Sequence, residues 1–536
     1  MRWLALLAAI SVQAQTADLV IRNATIYTAD PAHPSATVLA IKDGKILLVG
    51  NEFTGKATRT IDAKGAMVMP GFIDSHGHVE NLGESLEVLD LRGVKSEAEA
   101  AALVANAAKS AKPGEWIRGR SWDQNLWPGK QFPTKQALDQ AAPKNPVTLS
   151  RVDGHATWVN QRALDLADVN GKTPDPAGGK ILRSASGDAT GVLIDMAKEL
   201  VGRKVPPPTA EQVKRRLARA TTELARLGIT SVHDAGVSYE TLQGYRSLIA
   251  ANQMPVRVNA MIGGVGPLWD LYRKRGPEIG EFLTVRSIKL YADGALGSRG
   301  AALLAPYSDD PGNSGLLINK EELIREVALQ AVKSGFQVCT HAIGDRGNRA
   351  VLNAYATALV GQNDKRFRIE HAQVVAPEDF DLFRKYNVIA SVQATHATSD
   401  MGWAETRLGP DRIKGAYAWQ TFLKHGIVVV NGSDFPVEQP NPIPGFYSAV
   451  TREDQQSAPK GGWYPAQKMS RTEALQSWTQ TGAYAEFAEK TKGSLTPGKL
   501  ADFIMLSSDI MTVPEQDILK AHVTMTVVGG RIVYSE

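Results

Sequence analysis

The middle of the chain alternates between short apolar runs, which are typical of buried strands, and longer segments with apolar residues at helical spacing. Eight runs are candidate strands: MVMPGFIDSH (67–76), GITSVHDAG (228–236), VRVNAMI (256–262), RSIKLYADG (286–294), QVCTHAIGD (337–345), RIEHAQ (368–373), VIASVQATH (388–396) and IVVVNGSDFP (427–436). Strands and helices in this alternation predict an α/β fold, a (β/α)8 TIM barrel over residues 70–492.

Two of the intervening segments carry clear helix boundaries. TAEQVKRRLARATTELARLG has a capping box from Thr209 to Gln212 and ends at Gly228. NKEELIREVALQAVKSG is predicted to begin at Asn319 and to end at Gly335. Both segments therefore fit the helices that connect parallel strands.

The two ends of the chain show strand patterns without helices between them. ADLVIRNATIYT and ATVLAIKDGKILLVG stand near the start, and the second contains an Asp43-Gly44 turn. GKLADFIMLS and VTMTVVGGRIVYS stand near the end. A single hairpin cannot bury the apolar face of its strands. The strands from both ends are therefore predicted to form one small β-sandwich domain, built from residues 15–69 and 493–536.

One connection is far longer than the others. About 150 residues separate His78 from Ile229, whereas a βαβ unit needs about 30. The excess, residues 85–205, is predicted to be an inserted subdomain after the first barrel strand. Loops at the carboxyl ends of barrel strands surround the active site, so we expect this subdomain to cover the substrate.

Composition excludes some classes of function. The chain has 60 basic and 56 acidic residues, a net charge of +4, and no long basic run, so nothing favours binding to nucleic acid. No segment offers the roughly 20 apolar residues of a membrane span. The single cysteine, Cys339, excludes an intramolecular disulfide.

The first residues, MRWLALLAAISVQAQTAD, have a pattern of their own. One arginine precedes an apolar stretch from Trp3 to Val12, and small residues follow it. This order is typical of a secretory signal peptide, predicted to be residues 1–14 with cleavage after Ala14. A frayed amino-terminal helix is the alternative. The prediction implies a secreted or periplasmic protein.

His76 and His78 stand at the end of the first barrel strand. Residues two apart in a strand project to the same side, so both imidazoles point into one space. Two convergent imidazoles suggest a metal ion, although a hydrogen-bonded pair would have the same spacing. The other strand ends add polar residues that are unusual in a barrel core: Lys289, His341, His371 and Asp434.

The order of these motifs along the chain can be compared with that in known protein families. The series HGH, IKLYADG, THAIGD, IEHAQ and GSDFP resembles the amidohydrolase superfamily of metal-dependent hydrolases. More narrowly, SWDQNLW, RVDGHATWVN and DGALGSRGA are similar to the amidohydrolase-3 subfamily that includes N-substituted formamide deformylase. The resemblance covers nearly the whole chain after the signal peptide.

The resemblance implies a centre with two divalent ions, expected to be zinc. In this pattern His76 and His78 hold one ion, His341 and His371 hold the other, and Lys289 bridges them as a carbamate. Asp434 binds the first ion and acts as the catalytic base. Two alternatives stay open: a mononuclear centre with unmodified Lys289, or a Lys289 cation paired with Asp293 or Glu370.

The resemblance further implies hydrolysis of a carbon–nitrogen bond other than a peptide bond, in a small amide. The alternatives are a deaminase on the same scaffold and a barrel relative without catalysis. Candidate substrate-binding residues are Trp122, His155, Arg299 and His396, although Trp122 and His155 could equally serve packing and Arg299 could hold a loop. A homodimer is compatible with these predictions.

Overall fold

The structure is a computed structural model that describes residues 16–151, 156–176, 179–361 and 363–536. The predicted signal peptide, residues 1–14, lies outside the described residues. The chain divides into two compact units: Gly83–Arg216 is one, and the remainder is the other. Within the described ranges, none of the helices is both long enough and apolar enough to span a bilayer.

The larger unit contains a parallel barrel, as the sequence predicts. Each strand pairs with the next along the chain. The eight strands are Phe72–Gly77, Ile229–Val237, Arg257–Gly263, Leu283–Tyr291, Gln337–Ala342, Arg368–His371, Ile389–Val392 and Val429–Asn431. A short strand, Glu278–Ile279, pairs antiparallel with the fourth.

The barrel closes at its mouth rather than along a full ladder. After the eighth strand the backbone N–H of Asp434 donates to the carbonyl of His76 (2.7 Å). The N–H of His78 in turn donates to the carbonyl of Phe435 (2.9 Å). These two bonds join the first and last strands at the point where the predicted ligands stand.

The helices of this unit surround the barrel or follow its strands. Their bounds are Val79–Ser85, Ala210–Arg226, Tyr239–Ala250, Pro267–Arg275, Glu321–Ser334, Asp345–Ala356, Phe380–Lys385, Ala394–Asp400, Ala404–Arg412, Trp419–Lys424, Pro442–Thr451, Arg471–Ser477 and Gln480–Ala485. Val79–Ser85 and Ala210–Arg226 run on into the inserted unit.

The two helix boundaries predicted from the sequence have different outcomes. The Thr209 hydroxyl accepts from the N–H of Gln212 (3.3 Å), and the Gln212 side chain accepts from the N–H of Thr209 (2.8 Å), so the capping box is confirmed. The predicted start at Asn319 is wrong. The helix begins at Glu321, because the Asn319 amide donates instead to the carbonyl of Tyr291 (2.8 Å).

Strands from both ends of the chain form two sheets with a shared apolar core. The first sheet contains Thr16–Arg22, Val38–Lys42, Lys45–Gly50 and Lys56–Asp62. The second contains Thr25–Tyr27, Ser35–Ala36, Met67–Pro70, Phe503–Leu506, Val523–Val528 and Arg531–Ser535. The core between them includes Leu19, Ile41, Val68 and Phe503, which is the arrangement of a β-sandwich.

The run MVMPGFIDSH is divided between two domains, where the sequence predicted one strand. Met67–Pro70 pairs with Phe503–Leu506 in the sandwich, and Phe72–Gly77 pairs with Ile229–Val237 in the barrel. The chain passes between them at Gly71, where a Cβ would stand 2.1 Å from the Thr230 side chain. Only glycine fits this close approach. The sandwich strand ends before this residue, and the barrel strand begins after it.

The inserted unit has its own sheet and core. Its strands are Leu89–Asp90, Ile117–Trp122, Val147–Arg151, Ala156–Val159, Gly179–Arg183 and Ala189–Asp195. Its helices are Glu97–Ala108, Lys135–Ala141, Gln161–Leu166 and Lys198–Gly202. Trp122, Trp127 and Trp158 form the centre of its apolar core, with ring centroids about 6 Å apart. The unit spans Gly83–Arg216, close to the predicted insertion of 85–205.

Candidate metal centre

The carboxyl ends of the barrel strands surround a cavity of about 410 Å³. All six residues predicted as ligands line it, and so does His396. Parallel strands deliver these side chains to one place because their carboxyl ends meet at the same end of the barrel. The full set of lining polar residues is His76, His78, Lys289, Tyr291, His341, His371, Gln373, His396, Asp400, Asp434 and Glu438.

His76 is fully buried and is held at both ring nitrogens. Its Nδ1 lies 2.5 Å from a carboxylate oxygen of Glu370, which in turn pairs with Arg368. Its Nε2 faces the cavity, 3.2 Å from the amine of Lys289. Burial, followed by the charge of Lys289, lowers the pKa of His76 to about 4. The ring is therefore neutral at pH 7, as a metal ligand must be.

Asp434 stands among the histidines with its carboxylate ionised. Its Oδ1 lies 3.2 Å from Nε2 of His78 and 3.6 Å from Nε2 of His76, and its Oδ2 lies 3.8 Å from Nε2 of His396. Burial alone would raise the pKa of Asp434, but the hydrogen bond with His78 and the surrounding histidines bring it far below the usual value. The carboxylate is thus available as a ligand or a base.

His341 and His371 meet on the other side of the cavity, with ring centroids 4.6 Å apart. Nδ1 of His371 is bonded to the side-chain oxygen of Gln393 (2.7 Å), which leaves Nε2 free to face the cavity. Nε2 of His341 is buried and has no hydrogen-bond partner among the described residues. Burial lowers the pKa of His341 to about 3 and that of His371 well below its usual value.

Lys289 is buried and points into the same cavity. Its amine lies 5.0 Å from the ring centroid of Tyr291. Among the described residues it forms no ion pair with Asp293 or Glu370, the partners considered from the sequence. Asp293 instead accepts backbone N–H groups of Ala302, Ile343 and Gly344, and Glu370 is occupied by Arg368 and His76. Burial lowers the pKa of Lys289.

These donors fit divalent metal ions. A buried imidazole nitrogen without a partner costs free energy unless something binds it, and His341 and His396 each present one. Two sets of ligand atoms are close enough together to hold an ion: His76, His78 and Asp434 form the first, and His371, His396 and Asp434 the second. Imidazole and carboxylate donors in sets of three are typical of catalytic zinc sites with an open position.

The four predicted substrate-binding residues have different positions. His396 lines the cavity and stacks on His371, with centroids 5.9 Å apart. Arg299 does not line it: its guanidinium binds both carboxylate oxygens of Asp309 (3.0 and 3.1 Å), so it holds a loop. Trp122 is fully buried in the core of the inserted unit, which supports packing rather than substrate contact. His155 lies outside the described residues.

Several residues around the cavity were not predicted from the sequence. Tyr291, Trp403 and Asp400 line it, and Glu370 supports His76. For one of them, Tyr291, the sequence does indicate a position at the cavity. Tyr291 stands two residues after Lys289 on the same strand, so alternation alone puts both on one side.

A parallel barrel that brings histidines and a carboxylate together at its strand ends has the kind of centre that metal-dependent hydrolases use. The amidohydrolase family model matches residues 59–534, and the chain belongs to this family. The chain is 37% identical to the protein LONG AFTER FAR-RED 3 of Arabidopsis thaliana, over 97% of this chain and 92% of that protein.

Two further relatives bear on the site. N-substituted formamide deformylase of Arthrobacter pascens is 27% identical over 97% of this chain and 99% of that enzyme. The crystal structure of an uncharacterized metal-dependent hydrolase from Pyrococcus furiosus has a TM-score of 0.78 and 30% identity. That match covers 92% of this chain and 100% of the other.

Proposed function

We propose that the protein hydrolyses the carbon–nitrogen bond of a small amide at this centre. The observation that carries the proposal is the convergence of neutral imidazoles on an ionised carboxylate in one cavity. The similarity to N-substituted formamide deformylase supports the type of bond, because the name of that enzyme describes removal of a formyl group from nitrogen.

The chain's residues would hold two divalent ions, and we propose zinc. His76, His78 and Asp434 would hold one. His371 would hold the other together with His341, whose buried Nε2 has no hydrogen-bond partner among the described residues, and His396, which stands in the second set of ligand atoms, would lie beside it. Lys289 would join them after its neutral amine adds to carbon dioxide and loses a proton, which converts the side chain into an anion with two oxygen donors. The amine of Lys289 lies 3.2 Å from a ligand nitrogen and forms no ion pair with the residues that the structure describes, which supports this, since an ammonium there would repel a cation.

Bound divalent ions would supply a water of lowered pKa and polarise the substrate carbonyl. Asp434 supplies the proton transfers. Its carboxylate is ionised before reaction, so it accepts the proton of the attacking water. The same proton then passes to the nitrogen that leaves, which departs as an amine. His396, 3.8 Å from Asp434, is placed to contact the substrate on that side.

The lining of the cavity favours a small substrate with an apolar part. Leu296, Ile343, Trp403 and Val437 provide apolar surface beside the polar centre. A volume of about 410 Å³ is in the range of small-molecule sites. N-substituted formamides with an aryl or alkyl group are therefore the first compounds to test.

The test is a turnover assay on purified protein with N-substituted formamides, N-acyl amino acids and aryl amides. We expect release of an acid and an amine, abolished by a chelator and restored by zinc. Asp434→Asn should lower turnover by about 10²–10⁴-fold while metal content is retained. Asp381→Asn, a change at an exposed position, is the control. Release of ammonia from an amino-substituted ring, without amide cleavage, would favour the deaminase instead.

A further inference from the structure

A second cavity of about 410 Å³ lies at the opposite end of the barrel from the metal centre. Its walls include the first residues of the strands Arg257–Gly263 and Leu283–Tyr291 and a later segment from Glu486 to Lys492. The two cavities share no residue of their linings. The second cavity therefore has no part in the proposed hydrolysis.

Most charged groups of this second cavity already have partners. Arg257 binds both carboxylate oxygens of Asp502 (2.7 and 3.0 Å) and also lies 3.4 Å from Glu281. Lys492 lies 2.8 Å from Glu486. Both acidic residues in the lining, Glu281 and Glu486, are thus paired with a basic residue.

Arg286 is different. It forms no ion pair within the part of the chain that the structure describes, and its Nε is buried without a hydrogen-bond partner. Its guanidinium carbon lies 3.7 Å from the ring centroid of Phe487, so the aromatic ring covers one face of the planar group. The two terminal nitrogens of the guanidinium form no hydrogen bond with the residues that the structure describes, and their N–H donors remain available to a ligand.

The pKa directions agree with this difference. Burial, followed by the charge of Arg366, lowers the pKa of Arg286. In Arg257 burial acts in the same direction, but Asp502 outweighs it and the pKa is raised. One arginine has its charge compensated by the protein and the other does not.

We propose that this cavity binds a small organic carboxylate, with the carboxylate on the edge of Arg286 and an apolar body against the remaining wall. A planar guanidinium matches a carboxylate with two parallel hydrogen bonds. Val258, Ile279 and Leu500 line the cavity and supply the apolar surface. Lys45, which is exposed, adds a second positive charge that no ion pair offsets in the residues described.

The probe is 4-bromobenzoate, which has a carboxylate, an apolar ring and an anomalous scatterer. Calorimetry on the metal-loaded protein should show an affinity for the probe that is at least tenfold lower in Arg286→Gln than in wild type. The affinity should fall less in Arg286→Lys, which keeps the positive charge but loses the paired donors of the planar guanidinium. The exposed Arg59→Gln is the matched control and should bind as wild type does. The neutral analogue 4-bromobenzyl alcohol should bind at least tenfold more weakly than the carboxylate.

A crystal of the wild-type protein soaked in the same probe gives a second test that needs no variant. We expect a bromine peak in the cavity beside Phe487. A peak only at the metal centre, or equal affinity in Arg286→Gln, would overturn the proposal. Tighter binding of inorganic phosphate than of the probe would overturn the assignment to a carboxylate. Metal content and amide turnover, measured in parallel, report separately on the proposed function.

Discussion

Replacing Glu370 with glutamine should damage both metal binding and stability, although Glu370 itself is not a predicted ligand. One of its oxygens faces Nδ1 of His76 (2.5 Å), and the carboxylate also binds Arg368 (2.8 and 2.9 Å). All three side chains are fully buried. Glutamine has the same shape but only one acceptor atom, so its NH2 group must then face a donor, either His76 or Arg368.

Two magnitudes follow from this geometry. Removing one partner of a buried ion pair costs about 3–5 kcal/mol, because the remaining charge is left uncompensated. Losing the group that orients a metal-binding histidine typically weakens metal affinity by about 10–100-fold. We therefore expect Glu370→Gln to unfold at lower urea concentration and to release zinc to a weaker chelator than wild type does.

A second arginine–glutamate pair in the same chain provides the control. Glu489 binds Arg366 through both of its oxygens (2.9 and 3.0 Å), but its side chain is 32% exposed, and Arg366 also has Asp364 as a partner. Glu489→Gln should cost about 0–1 kcal/mol and leave zinc affinity unchanged. The assays are urea unfolding of both variants and zinc competition with a chromogenic chelator.

A Glu370→Gln protein with the zinc affinity of wild type would show that Glu370 does not orient His76 for metal binding. Equal losses of stability in both variants would show that burial does not decide the strength of these pairs, since burial is what distinguishes them. If zinc affinity fell but stability did not, Glu370 would still orient His76. The charge of Arg368 would then not need Glu370 for the stability of the fold.

Three other predictions test separate parts of the account. Lys289→Ala should lower metal content, formate should restore part of the activity, and Lys289→Arg should not substitute; full metal content in the alanine variant would remove the bridge. Burial alone would raise the pKa of Glu486, but Lys492 and His233 lower it to about 2. Glu486 should thus account for about 3 kcal/mol of the stability that wild type loses as pH falls from about 4.5 to 2, and Glu486→Gln should lose less by about that amount, measured by urea unfolding. Protein from a periplasmic or culture fraction should begin near Gln15, and an intact Met1 in cytosolic protein would contradict export.

Much of the barrel was predictable because its signals are local. Most of the strands are short apolar runs, and alternation along a strand correctly puts His76 and His78 on one side. The domain boundary between residues 69 and 70 was predicted, but the break of the run 67–76 into two strands at Gly71 was not, because the residue that excludes a side chain there, Thr230, belongs to a distant part of the chain.

The contact between Glu370 and His76 could not be predicted from the alternation of side chains along a strand. Neighbouring residues of a strand face opposite ways, so Glu370 and His371 should not serve the same centre. The structure resolves the conflict at the end of the strand, where His371 has a φ of 73° and turns its ring to the mouth. Asp434 also has a positive φ, 59°. Such backbone turns are imposed by tertiary packing, which a single sequence does not display.

A crystal structure of the zinc-loaded protein, with anomalous data at the zinc edge, tests whether this cavity holds a bridged pair of metal ions. We expect two zinc peaks in the cavity, one beside His76 and His78 and one beside His341 and His371. We also expect density for a carbamate on Lys289 between them. A single peak with a bare amine at Lys289 would contradict the bridged centre, and zinc bound only outside this cavity would contradict the metal centre itself.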